Sequence, residues 1–589
     1  MRISGRDGLP PLGVSRRRFV QGIAGGALLL SGARVFPGTQ SASPKVLSGS
    51  QFELSIDELA VNYTGAPRRA TVVNGQLPAP LLRWREGELV TLRVTNRLRV
   101  RSSIHWHGMI LPADMDGVPG LSFNGIAPGE TFTYRFPVNQ HGTYWYHSHS
   151  SFQEQTGLYG PLVIEPRDGE RHQCERDYTV ILSDWSDCDP EQIYAALKRQ
   201  SDYFNHQQRT AADAGADIAR YGIRRSAAEW AMWGRMRMDP TDLLDVSGST
   251  YTYLMNGATP NDNWTAVFSS GERVRLRFIN GSSMSYFDVR IPGLAMTVVA
   301  ADGQDVEPVS VDEFRIGTAE VYDVIVAPAE HRPYTIFAQA MDRSGFARGT
   351  LSPQPGMQAE VPALDAPPRL GMADLGMAAG SAPAMAGMAD MPPGMHDMPD
   401  MPGMSGAASP TQHVRAEYGP GVDMLVASPH RRLDDPGVGL RNNGRRVLSY
   451  ADLKTLGGAL DPRPPARDIE LHLTGHMQRY MWSFNGRKFS ESEPLQLRYG
   501  ERLRIVLVND TMMTHPIHLH GMWSEVENPD GEFQLRKHTV TVQPGQRLSY
   551  RVTADAPGRW AYHCHLLYHM EAGMFREVVV SAQAGAGTP

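Results

Sequence analysis

The chain has 589 residues, 41 % of them hydrophobic, and a formal net charge of -6. That length is too great for one core and points to about three compact units. With a pI near 6.4 there is no basic footprint, which argues against nucleic acid as a partner.

In chain order, the first notable stretch is Ser15-Arg16-Arg17-Arg18-Phe19-Val20, followed by an apolar run from Gly22 to about Ala33. The run is too short and glycine-rich to span a bilayer. Paired arginines before a modest apolar core predict a twin-arginine signal over residues 1–44, hence the twin-arginine export machinery as a partner and a periplasmic location.

Beyond this leader one supersecondary unit recurs three times. Asn74-Gly75 leads to Glu86-Gly87-Glu88 and the run Leu89 to Asn96. Asn256-Gly257 leads to Ser270-Gly271-Glu272 and Arg273 to Asn280, and Asn485-Gly486 to Tyr499-Gly500-Glu501 and Arg502 to Asn509. Alternate apolar residues such as Val90, Leu92 and Val94 predict a half-buried strand ended by Asn. A turn and strand at Ala127-Pro128-Gly129-Glu130 is echoed at Gln543-Pro544-Gly545-Gln546. Short strands between Gly and Pro turns predict an all-β chain of three sandwiches, over residues 45–170, 171–345 and 462–583.

Two stretches depart from this pattern. Residues 191–244 carry Ala, Arg, Gln and Trp at helical spacing and predict a helical insertion in the second sandwich, with Trp230 and Trp233 as packing residues. Residues 346–461 turn to Pro, Gly, Ala and Met with little periodicity, which predicts a mobile linker. Inside it Met385, Met388, Met391, Met395, Met398, Met401 and Met404 recur every three or four residues, interrupted by prolines. Thioethers are soft ligands that select Cu(I), so the run reads as a copper-capture segment; the plainer reading is a biased linker. A predicted strand from Tyr178 to Leu182 separates Cys174 from Cys188 by more than the ~7 Å that a disulfide tolerates, which argues against a bridge.

The chemistry concentrates at Tyr562-His563-Cys564-His565-Leu566-Leu567-Tyr568-His569-Met570-Glu571-Ala572-Gly573-Met574. A strand's period of two sends Cys564 to one face and His563 and His565 to the other, so one strand serves two metal sites. Cys564, His569 and Met574, with His515 as the second imidazole, make the set that suits an electron-transfer copper. Ile517-His518-Leu519-His520-Gly521 mirrors Ile104-His105-Trp106-His107-Gly108. Trp560-Ala561-Tyr562-His563-Cys564-His565 mirrors Tyr144-Trp145-Tyr146-His147-Ser148-His149. The two copies supply four His-x-His pairs, but only the second has a cysteine. The middle repeat continues past Asn280 without any His-x-His and reads as a spacer.

On these motifs the chain resembles the multicopper oxidases, and its ending, with His515-Pro516-Ile517-His518-Leu519-His520-Gly521-Met522-Trp523, resembles the bacterial copper-resistance protein A branch. The resemblance implies three cupredoxin-like Greek-key sandwiches and four copper ions, one type 1, one type 2 and two type 3. It assigns His515, Cys564, His569 and axial Met574 to type 1, and His105 and His518 to type 2. His107, His147, His149, His520, His563 and His565 fall to the type 3 pair. It implies one-electron oxidation at type 1 and four-electron reduction of O2 to water at the cluster. Asp116 matches an acidic position that relays protons beside type 2, though an Asp before Gly also suits a plain turn. Some relatives place a carboxylate directly after the second type 1 histidine, where this chain has Met570.

The branch implies Cu(I) as reductant, with phenolic compounds as further substrates. Met512 and Met513, just before His515, read equally as Cu(I) receivers or core residues. Glu525, Glu527, Asp530 and Glu532 read as a solvated acidic loop. The alternatives are a laccase-type phenol oxidase without a role in copper tolerance, and a periplasmic copper-sequestering protein. A copper nitrite reductase would share the type 1 set but has no use for eight paired imidazoles.

Overall fold

The three repeated runs become three β-sandwiches in a computed structural model, which describes residues 44–377, 413 and 415–581. The twin-arginine stretch and the methionine run Met385 to Met404 lie outside the described residues. Among the described residues no helix is long and apolar enough to cross a membrane.

Each sandwich pairs two sheets. In the first, Arg68–Val73, Gln51–Val61, Leu89–Asn96 and Thr131–Pro137 form one sheet. Val46–Ser48, Leu81–Arg85, Tyr159–Glu165, Gly142–His147 and His105–His107 form the other, in that order. The third sandwich repeats the plan, with His515–Leu519 beside Gly558–Cys564 where the first has His105–His107 beside Gly142–His147. The middle sandwich has sheets of six and five strands and carries no paired histidines.

The repeated residues earn their positions by the same contacts in every copy. Asn74, Asn256 and Asn485 all have φ near +50°, and the glycine after each is also left-handed, the geometry of a tight hairpin. Each asparagine side chain accepts a backbone N–H from a neighbouring strand, at Ser55, Ile181 and His472. The strand-ending Asn96, Asn280 and Asn509 are fully buried, and each donates to one carbonyl of the loop that follows, at Val100, Ser285 and Met513, and to a carbonyl from farther along the chain, at Ile126, Ile316 and Val542. Val90, Leu92 and Val94 are wholly buried on one face, and each stabilises the sandwich by about 1.5–3 kcal/mol relative to exposure.

Three helices, Pro190–Arg199, Ala211–Tyr221 and Ile223–Met236, fill the insertion. Trp233 and Met236 are buried, and Trp230 stacks on the Arg209 guanidinium. Cys174 and Cys188 are free thiols.

Two expectations need correction. The flanks of the methionine run are packed rather than mobile. Phe346–Ser352 is a strand of the middle sandwich, paired with Tyr334–Ala340, and Leu370, Leu375, Val426, Leu433 and Leu453 are buried further along. Widely spaced apolar residues and ion pairs such as Arg445 to Glu313 and Asp365 to Arg290 hold this segment against the sandwiches. It shows no sequence period because it forms little sheet or helix of its own. Likewise Glu525 and Glu527 are not in a solvated loop. They lie buried in the strand Ser524–Glu527, where Arg502, Arg504 and Arg551 neutralise them; only Asp530 and Glu532 are exposed.

Candidate metal centres

The pairing of His515–Leu519 with Gly558–Cys564 sets Ile517 opposite Cys564 and His518 opposite His563. In the first sandwich His105 sits opposite His147. Because strand side chains alternate, this register collects the paired histidines on one side and leaves Cys564 facing the other. The glycine closing each of the two His-x-His-Gly motifs is left-handed, and a Cβ would strike the His538 ring at Gly108 and the Trp560 ring at Gly521. The repeated His-x-His-Gly is therefore a packing requirement as well as a donor set.

On the cysteine side, Cys564 Sγ lies 3.5 Å from His515 Nδ1 and 3.9 Å from His569 Nδ1, and the two nitrogens are 3.2 Å apart. All three residues are fully buried. Met574 is buried as well, its backbone tied to Cys564 and His569. Both outer nitrogens are held. His515 Nε2 meets Thr511 Oγ1 at 2.8 Å, and His569 Nε2 donates to Asp245 Oδ2 at 2.6 Å. Tyr480 donates to the same carboxylate, and Trp482 stacks on the His569 ring with centroids 3.9 Å apart. Burial pushes the Cys564 thiol well up, so a thiolate here needs a cation beside it.

On the other side, eight imidazoles from the first and third sandwiches converge. His107, His147 and His565 form one group able to hold a metal ion, His149, His520 and His563 a second, and His105, His107 and His518 a third. Across the seam, Nε2 of His563 lies 3.3 Å from that of His149 and 3.0 Å from that of His520, and His565 Nε2 lies 3.4 Å from His147 Nε2. Burial, followed by mutual repulsion, holds His107, His147, His149, His518, His520 and His565 well below the ordinary imidazole range. His563 falls to about 4, again chiefly through burial. Neutral imidazoles are the form that binds a metal. Nε2 of His105, Nε2 of His518 and Nδ1 of His107 are buried with no hydrogen-bond partner. A buried orphan nitrogen costs about 1–3 kcal/mol, and a coordinated cation removes that cost at all three, so the donor set fits copper.

Outer contacts orient the rings. Asp116 accepts from His105 Nδ1 through its carbonyl at 2.8 Å and from His520 Nδ1 through Oδ2 at 2.8 Å. The resemblance implied a place beside the type 2 copper, and the contacts with His105 and His520 join the two sandwiches. Four supporting residues escaped the sequence. Glu154 Oε2 lies 2.6 Å from His147 Nδ1. The His538 carbonyl accepts from His518 Nδ1 at 2.6 Å. Asp302 accepts the backbone N–H groups of His538 and Thr539, and Asp245 grips His569. None carries a motif: Asp245, Asp302 and His538 act from other elements of the chain, and Glu154, though in the loop after His149, lies outside the His-x-His pattern. Asp302 and Asp245 come from the middle repeat, which thus supports both sites instead of only spacing them. Met512 and Met513 are each 1 % exposed and pack in the core.

Family models described as multicopper oxidase match residues 55–169, 176–354 and 462–584. Two sandwiches joined through histidines, with a lone cysteine centre in one of them, are what that class requires. The chain belongs to the multicopper oxidase family, on its copper resistance protein A branch, and is an oxidoreductase that uses O2. It is 58 % identical to a copper resistance protein A homolog of Pseudomonas syringae pv. tomato, over 97 % of this chain and 100 % of that one. It is 54 % identical to copper resistance protein A of Escherichia coli, over 97 % and 99 %. In fold it is similar to a laccase from Botrytis aclada, with a TM-score of 0.62 at 21 % identity over 93 % and 90 % of the two chains.

Proposed function

We propose that the protein oxidises Cu(I) in copper tolerance, taking one electron at a time at a type 1 centre and delivering four to O2, which becomes water, at a trinuclear cluster. His515, Cys564, His569 and Met574 would hold the type 1 copper, and His105 and His518 the type 2 copper. His107, His147 and His565, with His149, His520 and His563, would hold the type 3 pair, giving four ions. Bound, these ions supply one-electron redox chemistry at the first centre and four-electron capacity overall. The chain contributes the path between them, since Cys564 is flanked in sequence by His563 and His565.

The observation that carries the reading is the closure of the His569 edge. Its Nε2, the atom an open type 1 edge would offer a phenol, is bonded to Asp245, and both residues are fully buried. Cu(I) arriving at this edge would therefore act through the carboxylate. Asp242 and Asp245 are buried on a segment that also carries Met236 and Met238, a donor chemistry suited to a small cation rather than an aromatic ring. The names of the copper resistance relatives support the same role. Two carboxylates face the rings of the cluster. Asp116 Oδ2 faces His520 Nδ1, and Glu154 Oε2 faces His147 Nδ1. Burial, then Asp184, pushes Glu154 well above the usual carboxylate range, which suits it to hold a proton.

Export by the twin-arginine route would place this activity in the periplasm, with the methionine run Met385 to Met404 collecting Cu(I). Oxygen uptake by the copper-loaded protein tests the reading. Uptake on adding Cu(I), reduced in Asp245→Asn and lost in Cys564→Ser, is expected. Uptake with a phenol but none with Cu(I) would replace it with the laccase alternative, and full copper loading without uptake from either would favour sequestration.

A further inference from the structure

Away from both centres, four titratable side chains close on one point at the third sandwich. His413 and Glu417 come from the packed segment that precedes this sandwich, His472 from the strand Arg467–His476, and Asp510 from the turn after Arg502–Asn509. One ligand-type atom from each lies within 4.8 Å of all the others. Glu417, His472 and Asp510 are buried, and the His413 side chain is 8 % exposed.

The two imidazoles are arranged alike. Nδ1 of His413 points inward, 2.9 Å from Glu417 Oε2 and 3.7 Å from Asp510 Oδ2. Nδ1 of His472 also points inward, 2.6 Å from Asp510 Oδ2 and 3.8 Å from Glu417 Oε2. Both Nε2 atoms point outward onto an acceptor, the Glu470 carboxylate at 3.1 Å for His472 and the Val426 carbonyl at 3.3 Å for His413. An outer acceptor on Nε2 fixes the proton there and turns the Nδ1 lone pair toward the centre. This is how metal-ligating histidines are held in proteins. Among the described residues neither Glu417 nor Asp510 is paired with a lysine or arginine, so two buried carboxylates and two inward nitrogens share one space without a fixed cation.

We propose that His413, Glu417, His472 and Asp510 form a further metal site, for a divalent first-row cation, with Cu(II) the tightest binder. Two imidazoles and two carboxylates are nitrogen and oxygen donors without sulfur, which disfavours Cu(I), and the order of affinities along the first row puts Cu(II) ahead. Two carboxylates balance the charge of a dication. The site goes beyond the oxidase reading and does not depend on it. It also sits one residue from the cysteine centre, because Asp510 precedes Thr511, whose hydroxyl meets His515 Nε2.

The competing account is an ion-pair network. Burial opposes charge on His472, yet Asp510 and Glu470 lift it to about 9, so protons alone could hold the cluster. Calorimetric titration of the full, copper-loaded chain with Zn2+, repeated with Cu2+ under electron paramagnetic resonance, separates the two. The site predicts one further equivalent of either ion, bound at least tenfold more weakly in His413→Ala and in Glu417→Gln. The added Cu(II) signal should carry nitrogen hyperfine structure that His472→Gln alters. Glu470→Gln, which touches no metal, should weaken binding roughly tenfold by releasing the ring. The absorption of the Cys564 centre reports whether each variant is folded, and Glu417→Gln preserves shape if His413→Ala does not fold. No uptake beyond the copper complement, or uptake unchanged in all these variants, would leave an ion-pair network only and overturn the proposal.

Discussion

Asp245→Asn isolates the contact on which the choice of reductant rests. The variant keeps shape and an amide oxygen for both His569 Nε2, now 2.6 Å from Oδ2, and Tyr480, now at 2.8 Å, but removes a negative charge one imidazole away from the proposed type 1 copper. A hydrogen bond to a charged partner contributes about 1.5–3 kcal/mol against about 0.5–1.5 for a neutral one, so the difference is about 1–1.5 kcal/mol. The charge favours the oxidised ion, which is the more positive, so its removal should raise the type 1 potential. For a one-electron couple a tenfold change in equilibrium, about 1.4 kcal/mol, corresponds to ~59 mV, and because only the part of this difference felt more strongly by the oxidised ion moves the couple, the expected rise is at most about 60 mV. Redox titration of the visible absorption of the Cys564 centre measures it. Oxygen uptake with Cu(I) should fall at least tenfold, while a phenol, which does not use the carboxylate, should lose far less. An unchanged potential with equal losses for both substrates would refute the reasoning.

Cys564→Ser should bind one copper fewer than the parent by metal analysis and lack its visible colour, with the histidine cluster still loaded. Gly117→Ala places a Cβ into the Ile104 carbonyl at φ +79°, between Asp116 and the backbone of His105. It should release the His105–His518 copper first, seen as loss of the type 2 paramagnetic signal. Asp288 is fully buried against Arg315 and Arg343. Burial opposes its charge, but the two guanidinium groups overcome it and hold the carboxyl below the usual range. A depressed carboxyl contributes stability that is present above about pH 4 and lost as pH falls through the folded value. Asp288→Asn should therefore cost about 3–5 kcal/mol in denaturant unfolding at pH 7, with the gap to the parent shrinking in acid. Deleting Met385 to Met404 should lower Cu(I) turnover more than phenol turnover, and equal effects would remove the capture role.

The histidine and cysteine ligand candidates were legible because their pattern is local. Strand alternation puts Cys564 and its flanking histidines on opposite faces, and the duplicate motifs mark which residues meet. The three sandwiches were legible because Asn-Gly turns and alternating runs repeat. What escaped was set by tertiary contact. Asp245, Glu154, Asp302 and His538 reach the metal centres from other sandwiches or loops, and no spacing announces them. The segment from 353 to 377, and that from 415 to 461, was misread because composition reports the capacity to form a core, not the capacity to dock on one already built. Glu525 and Glu527 looked solvated because their arginine partners, Arg502, Arg504 and Arg551, lie in other strands of the same sheet. The closed edge of His569, on which the proposed choice of Cu(I) over a phenol rests, depends on Asp245 and Trp482 and could be seen only in three dimensions.

Anaerobic Cu(I) added to the copper-loaded protein, followed by a limiting pulse of O2, tests the whole scheme in one experiment. The account predicts that four Cu(I) are consumed for each O2 and that no hydrogen peroxide accumulates. Two Cu(I) per O2 with stoichiometric peroxide, or no consumption by a sample holding its full copper, would contradict it.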